Sequence, residues 1–355
     1  MQCYQKDKRL FFAIFLFFAV SFILSPLLAQ TPTIKEILNL PEEKIDIAQA
    51  ALVIAKGVYP EVDIDKYLKQ IDNMADSLRE KISKPTIFYK RGNPRRAIQV
   101  INNYLFGEKG FTGVDDESAF LLNKVIEKKK GSCLGLSILY LSLAQRLNLS
   151  IYLVTAPKHY FVRYDNGKYR QNIETRMRGL DLPDFHYQIS FNVPEGTIPK
   201  GVYLRNLSKK ETIICMLGSA GAALGAKHKD KEGSNLLDLA LKFAPDNPEI
   251  YFNKAIICCK NKQYSEAITL FNTVILLDPW FTEAYRNRGV AYESKGEIHK
   301  AIKDYNQAIK LDSNDASSYA LRGHAYRKIG ELEKAKKDFD KFVKLKKAMR
   351  ENEQQ

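Results

Sequence analysis

The strongest structural signal in this chain lies at residues 131–144, which read GSCLGLSILYLSLA. Ser132 is a favourable N-cap residue, which places Cys133 in the first turn of a helix. The helix is apolar nearly all round through Leu147, so we expect a buried central helix. Unpaired backbone N–H groups and the positive end of the helix dipole favour a thiolate at this point, which makes Cys133 a candidate nucleophile.

Two or three strands are predicted after this helix. Residues 150–155 and 159–164 are rich in β-branched and aromatic side chains. The tripeptide Asp165-Asn166-Gly167 is a hairpin-turn signal, and the chain returns over residues 169–175. The pattern therefore predicts strands joined by a hairpin turn after the central helix.

Three side chains of these strands complete a catalytic constellation with Cys133. His159 lies at the start of one strand, and Asn172 and Glu174 lie two residues apart on its neighbour, so both point to one face. Cys133, His159 and either the amide or the carboxylate have the chain order of nucleophile, base and base-orienting group. Spacing alone leaves the plainer interpretation open, in which Cys133 is a small core residue and His159 a structural histidine.

Upstream of the central helix, the apolar spacing predicts further helices. Residues 43–57 and 63–82 have amphipathic patterns. Asn93-Pro94 opens a third helix, because proline suits the first helical position. Residues 118–129 form a fourth, which Gly131 ends.

The C-terminal third repeats every 34 residues. The pattern is similar to that of tetratricopeptide repeats, helical hairpins that stack because one hairpin alone cannot bury its apolar face. The recurring aromatic and small positions are Tyr251, Tyr285 and Tyr319; Ala255, Gly289 and Gly323; and Ala267, Ala301 and Ala335. The predicted repeats are 245–278, 279–312 and 313–346, and a degenerate repeat before them extends the array to 211–347.

The concave face of this array is expected to carry four polar side chains: Asn253, Arg286, Asn287 and His324. They are interpreted either as solvated groove residues of a spacer or as groups that bind an extended peptide or a partner protein.

The N-terminus has the order of a secretory signal peptide. Lys6, Lys8 and Arg9 precede the apolar stretch 10–24, and Ala29 offers a small residue at a cleavage point. The alternative is an uncleaved anchor, because residues 10–29 are long enough to span a bilayer. Both interpretations predict an exported protein that faces the bacterial periplasm or another extracytoplasmic space.

Composition excludes several classes of protein. The chain has 355 residues, a formal net charge of +14 and five cysteines. Five cysteines in this length exclude a disulfide scaffold, and none has the spacing of zinc ligands. Phosphate-cradling glycine motifs are absent, so we expect no cofactor and no metal. The basic residues are spread along predicted helices, so nucleic-acid binding is not expected.

Several motifs together resemble the transglutaminase-like superfamily, in its bacterial SirB-like branch that is joined to tetratricopeptide repeats. The resemblance covers roughly residues 40–185. The matching stretches are 102-NNYLF-106, 110-GFTG-113, 120-FLLNKVIE-127 before Lys130-Gly131, the helix that carries Cys133, 156-APKHYFVR-163 and 172-NIET-175.

The resemblance implies an α+β papain-like core at 91–200, preceded by a helical segment at 40–90 and followed by the all-α repeat solenoid. It implies Cys133 as nucleophile, His159 as base and Glu174 as third member of the triad. Glu174 replaces the aspartate usual in the superfamily, and Asn172 is the alternative orienting group.

Two functions are therefore expected from the sequence. The first is an exported cysteine acyltransferase, peptidase or amidase that acts on a peptide or protein amide, with repeats that bind the substrate or a partner. The second is a non-catalytic interaction scaffold with an inactive transglutaminase-like domain. A regulator that binds peptides in the triad cleft without turning them over is a third, weaker interpretation.

Overall fold

The computed structural model describes residues 32–84, 93–116 and 119–353. The predicted signal segment, residues 1–29, lies outside these ranges. Among the helices in the described ranges, none combines the length and the apolar character that crossing a bilayer requires.

The N-terminal part of the described chain is helical, as the amphipathic patterns predict. Each helix begins at a capping residue: Asp46 accepts hydrogen bonds from the backbone N–H groups of Ala48 and Gln49, and Asn93 accepts one from Arg95. A π-helical turn over Asn103–Glu108 continues the last helix. The helices are α1 (Ile34–Asn39), α2 (Ile47–Val58), α3 (Ile64–Ser83) and α4 (Pro94–Asn102).

Two short parallel strands bring the chain to the central helix. Strands β1 (Thr112–Gly113) and β2 (Lys130–Gly131) pair in parallel, and α5 (Leu122–Lys128) connects them. The central helix α6 (Cys133–Arg146) begins two residues after β2. Its residues from Leu134 to Ala144 are all buried, which confirms the predicted buried helix.

Helix α5 begins later than the sequence pattern predicts. It starts at Leu122 rather than near residue 118. The carbonyl of Ala119 accepts a hydrogen bond from the Ser132 N–H at 2.8 Å. This long-range bond fixes the segment before α5 against the start of α6. If the segment were helical, the Ala119 carbonyl would point along the axis of its own helix and could not accept this bond.

The sheet that follows is antiparallel, with strand order β3-β4-β5. Its strands are β3 (Ile151–Ala156), β4 (His159–Asp165) and β5 (Arg170–Ile173). Ala156 pairs with His159 across the first hairpin, and Val162 pairs with Ile173 across the second. A 3₁₀ turn (Thr175–Met177) and helix α7 (Asp184–Ser190) complete this side of the core.

Four helical hairpins follow and confirm the predicted repeat array. Gly289 and Gly323 lie where the helices of a hairpin approach most closely: a Cβ atom would come within 2.6 Å of the Tyr305 ring and 3.0 Å of the Phe339 ring, respectively. The hairpins are α8 (Lys209–Ala226) with α9 (Asp230–Phe243), α10 (Pro248–Lys260) with α11 (Tyr264–Leu277), α12 (Thr282–Ser294) with α13 (Ile298–Leu311), and α14 (Ala316–Lys328) with α15 (Leu332–Glu353).

The repeats are not a separate body on a free linker. Helix α8 packs against α2, and one hydrophobic cluster extends from the N-terminal helices through α6 and the sheet to Ile250 and Ile257 of α10. Leu204 N–H and Leu207 N–H also donate to the β3 carbonyls of Thr155 and Leu153, each at 2.9 Å. The first hairpin of the array is therefore part of the core that carries the site.

A substitution at Gly135 tests the close approach between the start of α6 and the segment at Ala119 and Phe120. A Cβ at this position would lie 2.6 Å from the Ala119 carbonyl oxygen and 2.9 Å from the Phe120 Cα. We expect Gly135→Ala to lower the free energy of unfolding by about 1–3 kcal/mol, because backbone atoms cannot move aside as a side chain can. Urea denaturation followed by circular dichroism measures the loss.

The matched control is Gly57→Ala in α2, where a Cβ would meet nothing within 4 Å. That substitution is expected to be neutral or to stabilise by up to about 1 kcal/mol, because alanine has the higher helix propensity. Equal stabilities of the two variants would contradict the close approach at Gly135.

Candidate active site

Cys133 is the first residue of α6. The Ser132 side chain caps the helix by accepting a hydrogen bond from the Gly135 N–H at 3.3 Å. Cys133 is partly exposed, whereas the eleven residues that follow it in the helix are buried. The thiol is thus accessible at the positive end of a buried helix dipole, a location that favours the thiolate.

His159 and Glu174 form a buried hydrogen-bonded pair. His159 Nε2 and Glu174 Oε2 are 2.7 Å apart, and the two side chains are 4% and 3% exposed. The other carboxylate oxygen, Oε1, accepts a hydrogen bond from the Arg176 N–H at 3.0 Å. Glu174 therefore has both oxygens engaged and holds the imidazole in one orientation.

Because Glu174 takes Nε2, the remaining ring nitrogen, Nδ1, is the one available to Cys133. Burial of His159 lowers its pKa, but hydrogen bonding to the Cys133 thiol and to Glu174, together with their negative charges, outweighs this effect and raises the pKa to about 9. The imidazolium is therefore the stable form at neutral pH, and it lies next to the candidate nucleophile.

Thr175 connects the Glu174 segment to the start of α6. Its hydroxyl donates to the Cys133 carbonyl at 3.5 Å and lies 3.2 Å from the Ser137 hydroxyl. Thr175 and Ser137 are fully buried. The strand end that carries Glu174 and the helix that carries Cys133 are thus tied directly together.

Aromatic side chains that no sequence motif marks enclose His159. The Phe191 ring stacks on the imidazole with centroids 4.2 Å apart and planes 9° apart. Tyr187 stacks on Phe161 at 3.8 Å and lies 6.1 Å from His159. The only available signal was the spacing of residues 187 and 191, four apart at the end of α7, which places both rings on one side of a helical turn.

The Tyr187 hydroxyl is buried and has no hydrogen-bond partner among the described residues. Burial raises the pKa of Tyr187, and so does the charge of Glu174. The rings of Tyr187 and Phe191 lie over His159 and keep water away from the His159–Glu174 pair. Exclusion of water strengthens the electrostatic interaction between the two groups.

Asn172 lies elsewhere, although it shares a strand face with Glu174. Its Oδ1 accepts a hydrogen bond from Arg163 Nε at 2.6 Å, and its Nδ2 donates to Asp184 Oδ1 at 2.8 Å. Arg163, which is 1% exposed, also donates to Asp184 at 2.5 Å. Asn172 thus orients a buried Arg163–Asp184 ion pair, and of the two orienting groups that the sequence allows, the structure brings Glu174 to His159.

The four polar residues predicted for the repeat groove all contact neighbouring groups. Arg286 pairs with Asp315 at 2.5 Å, and Asn287 donates to the Glu283 carbonyl at 2.8 Å. Asn253 donates to the Gly218 carbonyl at 3.4 Å, and His324 lies 3.1 Å from Arg327. Peptide binding by these four side chains stays a prediction. No group of three or more potential metal ligands occurs in the described part of the chain.

Comparisons with known families agree with the domain organisation of the chain. Residues 65–183 match the transglutaminase-like superfamily, and residues 236–269, 282–315 and 316–349 each match a tetratricopeptide repeat. The chain is similar to a UPF0162 protein of Xylella fastidiosa (strain 9a5c), at 22% identity over 228 residues, which cover 61% of this chain and 79% of that protein. A UPF0162 protein of Buchnera aphidicola is 20% identical over 219 residues, 59% of this chain and 78% of that protein.

Solved structures resemble parts of the chain. MamA from Desulfovibrio magneticus RS-1 is 23% identical, with a TM-score of 0.36, over 38% of this chain and 76% of that one. The second tetratricopeptide domain of Spaghetti (RPAP3), bound to an HSP90 peptide, is 30% identical, with a TM-score of 0.27, over 28% of this chain and 91% of that one.

The protonation of His159 makes stability depend on pH. The folded-state pKa is about 9 and the ordinary value is 6.5. The stabilising contribution is therefore fully present below pH 6.5 and is lost as the pH rises through about 9. We expect the stability difference between wild type and His159→Gln to fall by on the order of 3 kcal/mol over this window.

Urea unfolding of both proteins at the two ends of the window measures this difference. His159→Gln is the reference because it retains every other titrating group. A difference that does not change with pH would show that His159 is neutral in the folded protein.

Proposed function

Because this chain contains a transglutaminase-like domain followed by tetratricopeptide repeats, we propose that it is an exported cysteine acyltransferase or hydrolase that acts on an amide bond of a peptide or protein. The observation that carries the proposal is the buried 2.7 Å contact between His159 Nε2 and Glu174 Oε2 beside Cys133. A thiol at a helix start, an imidazole and a buried carboxylate are the three parts of a cysteine nucleophile system.

In the proposed reaction His159 Nδ1 takes the proton of the Cys133 thiol. The thiolate attacks the carbonyl carbon of the amide and forms a tetrahedral intermediate with a negatively charged oxygen. Backbone N–H groups at the start of α6 have no partner within the helix and are suited to bind that oxygen. The imidazolium then protonates the leaving amine, the C–N bond breaks, and a thioester on Cys133 remains.

The second half of the reaction transfers the acyl group to an acceptor. His159 removes a proton from the acceptor, which attacks the thioester and releases the Cys133 thiol. Water as acceptor gives a peptidase or an amidase, and an amine gives a cross-link. The raised pKa of His159 supports a thiolate–imidazolium pair at neutral pH, the reactive form of such a site.

Tetratricopeptide repeats typically bind proteins or peptides, and we propose the same role for this array. It directly adjoins the core through α8, so a bound protein would be held close to Cys133. The signal-like segment at residues 1–29 supports export to the periplasm or another extracytoplasmic space, with residues 10–29 as a membrane anchor if that segment is retained.

The pH profile of Cys133 alkylation by iodoacetamide tests the proposal. The protein used retains only this thiol among residues 32–355, because Cys215, Cys258 and Cys259 are replaced by alanine. We expect alkylation near pH 6 to be about 100-fold faster than for an ordinary thiol with a pKa of about 8.5, because the helix start and the neighbouring imidazolium of His159 favour the reactive thiolate.

His159→Ala is expected to abolish most of this advantage, and Glu174→Gln to reduce it by about tenfold, since the ring then loses its charged partner. Asn172→Ala is the matched control, which removes a neighbouring polar side chain that contacts Arg163 instead of His159. An alkylation rate that follows the free-thiol pKa and does not respond to His159→Ala would overturn the proposal of an enzyme. The non-catalytic interaction scaffold would then be the remaining function.

A further inference from the structure

The two residues that flank His159 both contact the repeat array. Lys158 forms an ion pair with Glu283 of α12. The Tyr160 hydroxyl donates to Glu249 Oε2 of α10 at 3.5 Å. The strand that carries the candidate base therefore begins against the first helices of two successive repeats.

The repeat spacing explains why these two glutamates lie side by side. Glu249 and Glu283 are 34 residues apart and occupy the first turns of α10 and α12. A carboxylate is favourable at each position alone, because it lies near the positive end of a helix dipole. The stacking of repeats then places two like charges on the same edge of the array.

A third carboxyl group, that of Asp278, follows the last residue of α11 and lies within electrostatic range of both glutamates. It is 4% exposed and accepts a hydrogen bond from the Trp280 N–H at 3.0 Å. Burial raises the pKa of Glu249, and the charges of Asp278 and Glu283 raise it further, to about 7. We call the space between these three carboxyl groups, Tyr160 and Tyr203 the acidic recess.

Tyr203 gives independent evidence that the recess accepts a ligand. Its side chain is 8% exposed, and its hydroxyl has no hydrogen-bond partner among the described residues. Its pKa is raised by burial and then by the charges of Glu249, Asp278 and Glu283, so the side chain lies within electrostatic range of all three carboxyl groups. An unpartnered hydroxyl on a side chain that is otherwise buried is available to hydrogen-bond a ligand that enters beside the three carboxyl groups.

The recess has few cations of its own. Lys158 pairs with Glu283 but is 64% exposed, and Lys200 lies over the Trp280 ring at 4.7 Å. Within the described ranges, neither Glu249 nor Asp278 forms an ion pair. The half-buried carboxyl group of Glu249 and the buried one of Asp278 thus have no ion-paired cation, although the chain has a formal net charge of +14.

The recess is close to the candidate nucleophile. The charges of Glu249 and of Cys133 both raise the pKa of Tyr160, which therefore lies within electrostatic reach of both groups. Its hydroxyl contacts Glu249 directly, and its neighbour His159 lies within electrostatic range of Cys133. The recess therefore adjoins the strand end that carries the candidate base.

We propose that the acidic recess is a substrate subsite that binds the ammonium or guanidinium group of a Lys or Arg side chain near the amide on which Cys133 acts. This subsite rests on the proposed function and names its substrate class, a basic peptide or protein segment. The carboxylates neutralise the cation, and the Tyr203 hydroxyl accepts one of its N–H groups. Binding relieves the mutual repulsion of the carboxyl groups, which the exposed Lys158 partner of Glu283 offsets only in part.

The subsite has a pH signature. Glu249 must be ionised to bind a cation, so affinity is expected to rise as the pH increases through about 7. The titratable and charged groups that face Glu249 come from every neighbouring element: Tyr160 of β4, Cys215 of α8, Tyr203, Asp278, Glu283 of α12 and, at the rim, Lys158 and Lys200.

Fluorescence of Trp280, the only tryptophan of the chain, reports on the recess directly. The full-length protein is titrated with trilysine amide, and trialanine amide is the neutral probe. We expect a saturable change with trilysine amide only, and a dissociation constant about tenfold higher in the double variant Glu249→Gln, Glu283→Gln, which removes two charges without changing shape. Glu333→Gln, an exposed carboxyl on α15, is the matched control and is expected to bind as wild type does.

A second measurement uses Cys133 itself. The single-thiol protein reacts with methanethiosulfonates that carry a trimethylammonium or a sulfonate group, and the thiolate displaces sulfinate to form a mixed disulfide. We expect the cationic reagent to react faster by about tenfold, and this preference to fall severalfold in the double variant.

The outcomes separate the two proposals. The subsite is overturned if trilysine amide causes no saturable fluorescence change, or if the double variant keeps the preference for the cationic reagent. Either result holds independently of the rate of iodoacetamide alkylation. Loss of the His159 dependence with neutral iodoacetamide overturns the catalytic proposal and with it the substrate role of the recess. Cation binding in the recess is then judged by Trp280 fluorescence alone, because iodoacetamide does not sense the charge of the recess.

Discussion

The hydrogen bond between His159 and Glu174 is the constraint on which the site depends. It joins the first residue of β4 to the residue after β5, and both side chains are almost completely buried. Burying charge is costly unless all of its partners are present, and here they are: Glu174 also accepts from the Arg176 backbone, and Thr175 holds the same segment to the start of α6. Helix, sheet and loop therefore have to meet in one register for Cys133 to lie beside the imidazole.

Local chemistry made part of this arrangement predictable. Ser132 determines where α6 begins, so the position of Cys133 follows from a capping preference and an apolar run. The turn at residues 165–167 forms as its composition indicates, with Gly167 at φ +79 and its N–H bonded to Asp165. The 34-residue period predicted the hairpins because small residues such as Gly289 are required where helices approach closely.

Other features depend on long-range contacts that a local pattern does not encode. Asn172 and Glu174 share a strand face, so the sequence allows either to orient His159. Asn172 instead hydrogen-bonds to Arg163 and Asp184. The stacking of Phe191 on His159 depends on how α7 folds back over the sheet. The period of the repeats likewise gives the geometry within the array, but the contacts of Lys158 and Tyr160 with it depend on how the array packs against the core.

The protonation state of His159 is the most direct test of the central claim. In protein labelled at histidine, the imidazole shifts are followed by NMR over a pH range of about 5 to 10, and His159→Gln assigns the signal among the five histidines. The structure predicts an imidazolium that titrates near pH 9, and a lower midpoint in Cys133→Ala, which removes one of its negative partners. A ring that is neutral at pH 7, or a midpoint that Cys133→Ala leaves unchanged, would contradict the coupling of His159 to Cys133.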